Sequence, residues 1–135
     1  MKYFFFIIII TFLFSCKNKK EWSYKTALPE TAVEVKEWYW QEGFLPDYEY
    51  YLKAKMSKQD FLKYIDTLKL VPYSDTLKFE DDILWSGLSG LFRDNVKDWW
   101  LTDENKDSSY VWNKGQEWNT AKYVNGCLYF YAYNH

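Results

Sequence analysis

The sequence predicts an α+β two-layer domain in which one main helix packs on an antiparallel sheet. Three observations predict it. Residues 47–56 alternate between apolar and charged side chains, as a half-buried strand does. Residues 57–69 carry apolar side chains at helical spacing. Asn125-Gly126 separates two β-rich runs near the end of the chain, which is a strong signal of a two-residue hairpin.

The first predicted strand is the segment AVEVKEWYW, which begins at residue 32. Val33 and Val35 share one face of it, whereas Trp38 and Trp40 share the other. The alternation therefore changes face near Glu37, and a β-bulge at that point would account for the change. The second strand, residues 47–56, is predicted to be half-buried and antiparallel to the first.

The main helix is predicted to begin after Ser57, which can accept a hydrogen bond from the backbone of Asp60 three residues on. Asp60 also suits the positive end of the helix dipole. Pro72 is predicted to stop the helix, because proline cannot continue it. The predicted apolar stripe consists of Phe61, Leu62, Ile65 and Leu68.

Residues 73–115 are poorly patterned and are predicted to be irregular. The last strand carries apolar or aromatic side chains on both faces, which predicts a position in the interior of the sheet. The predicted order is therefore β-β-α-irregular-β-β, preceded by a signal helix and a tether.

The amino terminus is typical of an export signal. Lys2 is followed by 12 residues, Tyr3–Phe14, that are apolar or aromatic apart from Thr11. A helix needs roughly 20 residues to cross a bilayer, so this run is too short to span one and resembles the core of a signal peptide.

The end of the run, Leu13-Phe14-Ser15-Cys16, resembles the lipobox of bacterial lipoproteins. The resemblance implies cleavage before Cys16, a diacylglycerol on its thiol, and a further fatty acid such as palmitate on the freed amine. It predicts a signal peptide over residues 1–15, a lipidated cysteine and flexible tether over 16–30, and one domain over 31–135. Lys17 stands where an inner-membrane retention signal has Asp, so the outer membrane is expected in a cell with two membranes.

Composition excludes some partners and constrains the source of stability. Without the signal, 16 basic residues stand against 19 acidic ones, a net charge of −3 that does not suggest a nucleic-acid partner. Lipidation of Cys16 would leave Cys127 alone, so no disulfide is expected. Aromatic residues make up 23% of the chain, and packing of these large rings is the expected source of stability.

Catalytic and metal motifs are scarce. The single histidine is the last residue, and no cofactor-binding or nucleophile motif is present. We therefore expect no catalytic residue and no cofactor, with a carboxylate-based hydrolase as the alternative. Asp103, Asn105 and Asp107 have the spacing of calcium-loop ligands, but Lys114 replaces the acidic residue that closes such a loop. They are weak candidates for a metal site.

The binding hypothesis rests on the adjacent pair Trp99 and Trp100. Neighbouring side chains in a strand or helix diverge, so one ring of the pair is expected to be partly exposed. The sequence thus predicts a lipid-anchored cell-envelope protein that binds or inhibits a protein partner. The alternatives are a glycan-binding module that uses exposed Trp and Tyr rings, a small hydrolase, and a weak calcium-binding module.

Overall fold

The computed structural model describes residues 23–41, 43, 47–73, 98–101 and 109–134. The helices are α1 (Ser23–Thr26) and α2 (Lys58–Thr67). The strands are β1 (Val33–Gln41), β2 (Tyr48–Lys55), β3 (Val71–Pro72), β4 (Ser109–Lys114), β5 (Glu117–Val124) and β6 (Cys127–Asn134). Within these ranges they form one antiparallel sheet in the order β1-β2-β6-β5-β4-β3.

The prediction of an antiparallel sheet is confirmed, but the prediction of an α+β layer built on one main helix is not. The described chain is mostly sheet, and α2 has only 10 residues. Two strands were missed: β4, which lies entirely within the segment 73–115 that was predicted to be irregular, and the two-residue β3, which directly precedes that segment. Pro72 lies in β3 at the edge of the sheet, where a missing N–H is tolerated.

The predicted bulge exists, but the position predicted for it, near Glu37, is wrong. The register between β1 and β2 shifts between Val33 and Lys36, and Glu34 has a left-handed φ of 52°. From Lys36 onward the pairing is regular, with Trp38 opposite Tyr51. The change of face that the sequence showed therefore arises from an extra residue near the start of the strand.

Strand β2 is not half-buried as predicted. Its expected apolar face is buried, with Tyr50, Leu52 and Ala54 at 1% exposure or less. The opposite face is covered as well, since Tyr51 is 0% exposed and Glu49 is 7% exposed. Because residues on both faces of β2 are covered, the charged residues in its sequence do not mark a solvent-exposed face.

Helix α2 begins as predicted. Ser57 is the N-cap, and its Oγ accepts a hydrogen bond of 3.1 Å from the backbone N–H of Asp60. The carboxylate of Asp60 accepts hydrogen bonds from Thr31 Oγ1 and Ser57 Oγ, both at 2.9 Å. These bonds, the one from Thr31 first, lower the pKa of Asp60 below its usual value because they stabilise the charged form.

The end of α2 comes before the predicted stop. The helix ends at Thr67, and the chain turns at Lys69, which has a φ of 58°. The apolar stripe is also shifted: Leu62 is 45% exposed, whereas Tyr64, which was not assigned to the stripe, is 1% exposed. Tyr64 can enter the core because its hydroxyl finds a partner there, the backbone carbonyl of Tyr24 at 3.1 Å.

Each face of the sheet has its own core. The helix face packs under α2 and includes Tyr50, Leu52, Phe61, Tyr64, Ile65, Ala121, Leu128 and Phe130. The tryptophan face packs under residues 98–101 and includes Tyr51, Trp100, Leu101, Val111, Tyr129, Tyr131 and Tyr133. Because β6 contributes to both cores, its predicted interior position is confirmed.

The predicted hairpin between the last two strands is confirmed. Val124 pairs with Cys127, and the two residues between them have φ angles of 51° at Asn125 and 79° at Gly126. Positive φ at both central positions is the type I′ geometry that Asn-Gly favours.

The predicted tether overlaps α1. Tyr24 is 6% exposed, and its ring lies 4.7 Å from that of Phe130. Ala27 and Leu28 also pack against the helix-face core, so part of the segment predicted to be a tether over 16–30 contacts the sheet domain. The signal and Cys16 lie outside the described residues. No helix in the described ranges is long and apolar enough to cross a membrane.

Candidate functional site

The two candidate tryptophans have different environments. Trp100 is 7% exposed, and its ring meets Tyr51 at 4.9 Å and Tyr129 at 5.5 Å in edge-to-face contacts. Trp99 is half-buried and packs edge-on against Trp100 at 5.6 Å. Lys53 fixes the segment by donating a 3.1 Å hydrogen bond to the carbonyl of Trp99. Only Trp99 of this pair therefore offers part of a ring to a partner.

The other candidate residues are not brought into a described site. Cys16 and the weak calcium candidates Asp103, Asn105 and Asp107 lie outside the described residues. Within the part of the chain that the structure describes, no group of three or more His, Cys, Asp or Glu side chains could hold a metal ion. The half-buried thiol of Cys127 is free and packs beside the tryptophan-face core.

A hydrogen-bonded cluster that the sequence did not predict lies at one end of the helix face. The hydroxyl of Tyr24 donates to Glu117 Oε1 at 2.5 Å and lies 3.2 Å from the hydroxyl of Tyr48. Tyr48 is on β2 and Glu117 is on β5, with β6 between them. Tyr24 therefore reaches across the middle of the sheet and joins the amino-terminal segment to the β4–β5 hairpin.

Burial keeps the phenols of this cluster protonated. It raises the pKa of Tyr24 far above its ordinary value, with a further increase from the hydrogen bond to Glu117. Burial also raises the pKa of Tyr48 to about 12. At neutral pH both side chains therefore act as hydrogen-bond donors, and neither can serve as a base.

A second carboxylate, Glu37, lies on the same face. It accepts hydrogen bonds from Tyr50 at 3.1 Å and from Lys25 at 2.7 Å. Glu37 is on β1, three strand spacings from β5, and is level with Ala121, four positions along β5 from Glu117, so the two Cα atoms are roughly 20 Å apart. A glycosidase pair has its carboxyl groups within roughly 10 Å. Glu37 and Glu117 therefore do not form such an acid–base pair.

The β4–β5 hairpin places a mixed group of side chains on the helix face. Trp112 is directly opposite Asn119, and Lys114 is directly opposite Glu117. Side chains in such positions have Cβ atoms about 5 Å apart. Two cross-strand pairs that are neighbours on this face thus bring together four groups at the end of one hairpin: an aromatic ring, an amide, an ammonium and a carboxylate.

The turn of this hairpin is held by local interactions. Gly115 adopts a φ of 65°, which a residue with a Cβ rarely adopts. The side-chain amide of Asn113 donates to the carbonyls of Gly115 and Glu117, both at 3.2 Å. These bonds fix the register that brings Lys114 opposite Glu117.

Three buried polar atoms have no hydrogen-bond partner in the structure of the described residues: Ser109 Oγ, Asn119 Oδ1 and Thr120 Oγ1. Leaving a buried polar group unpaired costs about 1–3 kcal/mol, so each of these atoms is a place where a donor would stabilise the folded state. Asn119 lies on the helix face opposite Trp112, and it is 5% exposed. Ser109 and Thr120 lie on the tryptophan face.

Sequence reasoning missed Tyr24, Trp112, Glu117 and Asn119 as members of a site. The signal for the hairpin was present, because Gly115 interrupts two runs that contain aromatic and β-branched residues. No sequence signal indicates that Tyr24 reaches Glu117, since 93 positions separate the two residues.

Comparison of the chain with family models, with curated proteins and with solved structures gave no match. Functional inference therefore depends on the residues and contacts described above.

Proposed function

We propose that this chain is a lipid-anchored protein of the cell envelope whose mature domain is a non-enzymatic module that binds a protein partner. The observation that carries the anchoring part is the sequence Leu13-Phe14-Ser15-Cys16 at the end of a short apolar run. Two or three acyl chains give stable attachment to a membrane, whereas one chain attaches a protein only marginally.

The position of α1 implies that only a short segment of chain would join the domain to a lipid on Cys16. Ser23, where the described chain begins, follows Cys16 by seven positions. Even a fully extended chain of this length spans only about 25 Å. A lipid on Cys16 would therefore hold the domain close to the membrane surface, with the end that carries Tyr24 nearest the anchor.

The anchor is tested by metabolic labelling with a fatty-acid analogue. We expect the wild-type protein to be labelled and to fractionate with membranes, in the outer membrane where the cell has two. Cys16→Ser should abolish labelling, because the hydroxyl of serine does not replace the thiol as the lipid acceptor. Persistent labelling of Cys16→Ser would overturn the lipoprotein assignment, and Cys127→Ser serves as the control that keeps the label.

The binding part of the proposal rests on Trp99. Its ring is half-buried, its carbonyl is held by Lys53, and Asp98 beside it is exposed. A large aromatic ring on a fixed backbone loses little side-chain entropy on binding, which is why Trp is common at the centres of protein interfaces.

The protein partner is tested by crosslinking in intact cells followed by pull-down from solubilised envelope. We expect a crosslinked protein to be lost from Trp99→Ala and retained by Trp112→Ala, which removes a half-buried ring from the opposite face. Identical crosslinked partners for wild type and Trp99→Ala would exclude Trp99 as the contact. Trp100 is unsuitable for this test, because it is a buried part of the core.

A further inference from the structure

We propose that the helix-face end of the β4–β5 hairpin is a binding site for a neutral saccharide, built from Trp112, Lys114, Glu117 and Asn119. The proposal rests on the proposed function only in placing the domain in the envelope, where saccharides are abundant. It does not involve Trp99, which packs on the other face of the sheet.

Trp112 supplies the platform. Its side chain is half-buried and packs against the helix-face core, so the ring is held in place while part of it remains accessible. The C–H face of a pyranose ring is apolar and matches the flat apolar face of an indole. Sites for small ligands combine such a surface with a few convergent polar groups.

The polar groups beside Trp112 suit hydroxyls. Asn119, directly opposite Trp112, is 5% exposed, and its Oδ1 is a buried acceptor without a hydrogen-bond partner in the described part of the chain. A sugar hydroxyl donating to this oxygen would remove the penalty of the unpaired acceptor. The unpaired acceptor is therefore an observation, independent of the ring, that points to a ligand.

Charges at the hairpin end favour a neutral ligand. Lys114 is exposed and Glu117 is half-buried, and the two lie directly opposite each other. Glu117 uses Oε1 to accept a hydrogen bond from Tyr24, which fixes the position of the carboxylate. An anionic ligand would be repelled by Glu117 and a cationic ligand by Lys114, whereas a hydroxyl can donate to one group and accept from the other.

The site also lies at the anchored end of the domain. Tyr24 follows Cys16 by eight positions, and its hydroxyl donates a hydrogen bond to Glu117. A saccharide bound here would therefore lie close to the membrane surface that the lipid on Cys16 would define.

The test is a titration of the full-length mature protein in detergent micelles with neutral oligosaccharides of hexoses and of N-acetylhexosamines, monitored by calorimetry. We expect Trp112→Ala to weaken binding by about tenfold or more, because it removes the stacking platform. Trp112→Phe should retain most of the affinity, because it keeps a flat ring. Asn119→Ala should weaken binding because it removes a hydrogen-bond acceptor. Glu117→Gln should weaken binding because it removes the charge of an acceptor.

The control is Trp118→Ala, which removes a half-buried tryptophan of the same hairpin from the opposite face. It should bind the oligosaccharides as wild type does. The proposal is overturned if none of these oligosaccharides binds, if only charged saccharides or peptides bind, or if Trp112→Ala and Trp118→Ala have equal effects on affinity. Circular dichroism of each variant separates lost binding from lost folding. If Trp112→Ala fails to fold, Trp112→Leu, which keeps an apolar side chain but removes the flat ring, should weaken binding to a similar extent.

Saccharide binding and anchoring fail separately in these experiments. Cys16→Ser should leave the saccharide affinity unchanged in solution, whereas Trp112→Ala should leave fatty-acid labelling unchanged. A wild-type protein that binds saccharide but takes up no fatty-acid label would refute only the anchor, and a labelled wild-type protein that binds no saccharide would refute only the saccharide site.

Discussion

Trp100→Ala is expected to lower the free energy of unfolding by about 3–5 kcal/mol, the usual range for truncating a buried aromatic side chain. The ring is 7% exposed and makes edge-to-face contacts with Tyr51 and Tyr129 at the centre of the tryptophan face. Its loss would leave a cavity between residues 98–101 and the sheet. Such a loss is a large share of the stability of a typical domain, about 5–15 kcal/mol.

The measurement is urea unfolding followed by far-ultraviolet circular dichroism, with Trp99→Ala as the matched control. Trp99 is the same residue type, one position away and half-buried, so its truncation should cost about 1–2 kcal/mol. An equal decrease in the free energy of unfolding for the two variants would contradict the difference in burial between Trp99 and Trp100. A stable Trp100→Ala protein that has lost a binding partner would instead assign Trp100 to the binding surface.

Alkaline pH is expected to unfold the protein in a cooperative step above pH 10. Burial raises the pKa of five core or part-buried tyrosines above the ordinary value of 10.0: Tyr24, Tyr48, Tyr50, Tyr64 and Tyr131. The unfolded chain ionises at its ordinary pKa, whereas the folded state resists ionisation. The stability that these neutral phenols contribute is therefore fully present below pH 10 and is lost as the pH rises toward their folded pKa values.

The absorbance of tyrosinate measures the ionisation of the tyrosines directly. Of the 13 tyrosines in the sequence, 12 follow the proposed signal peptide. Among these 12, the exposed ones should titrate first, and the buried ones should ionise together with the loss of the β-sheet signal. Tyr131→Phe removes one buried phenol from the tryptophan face and should move the unfolding step to higher pH if packing is retained. Ionisation of all 12 in one smooth step, with native circular dichroism throughout, would contradict the buried positions of these rings.

Local signals predicted the local structure well. Ser57 with Asp60 predicted the start of α2, and Asn125-Gly126 predicted the final hairpin, because caps and tight turns depend on a few neighbouring residues. The end of α2 was less well predicted. The chain turns at Lys69, where a left-handed φ ends the helix, so Pro72 is not what stops it.

Long-range contacts account for what the sequence did not reveal. Strand β2 was predicted to be half-buried because Glu49, Lys53 and Lys55 alternate with apolar residues. Its polar face is covered by Trp100, which lies 49 positions from Tyr51 in the chain. Likewise, the bulge in β1 could be detected from the change of face but not located, since its position depends on the register with β2.

The sequence by itself determined the helix cap, the final hairpin and the presence of antiparallel strands, because each depends on residues within one short segment. The lipoprotein signal at the amino terminus stays a prediction. The tertiary structure alone decided that Trp100 is part of the core and that Tyr24 packs on the sheet and donates a hydrogen bond to Glu117. Those facts depend on strand order and register, which bring together side chains from distant positions and cannot be derived from local spacing.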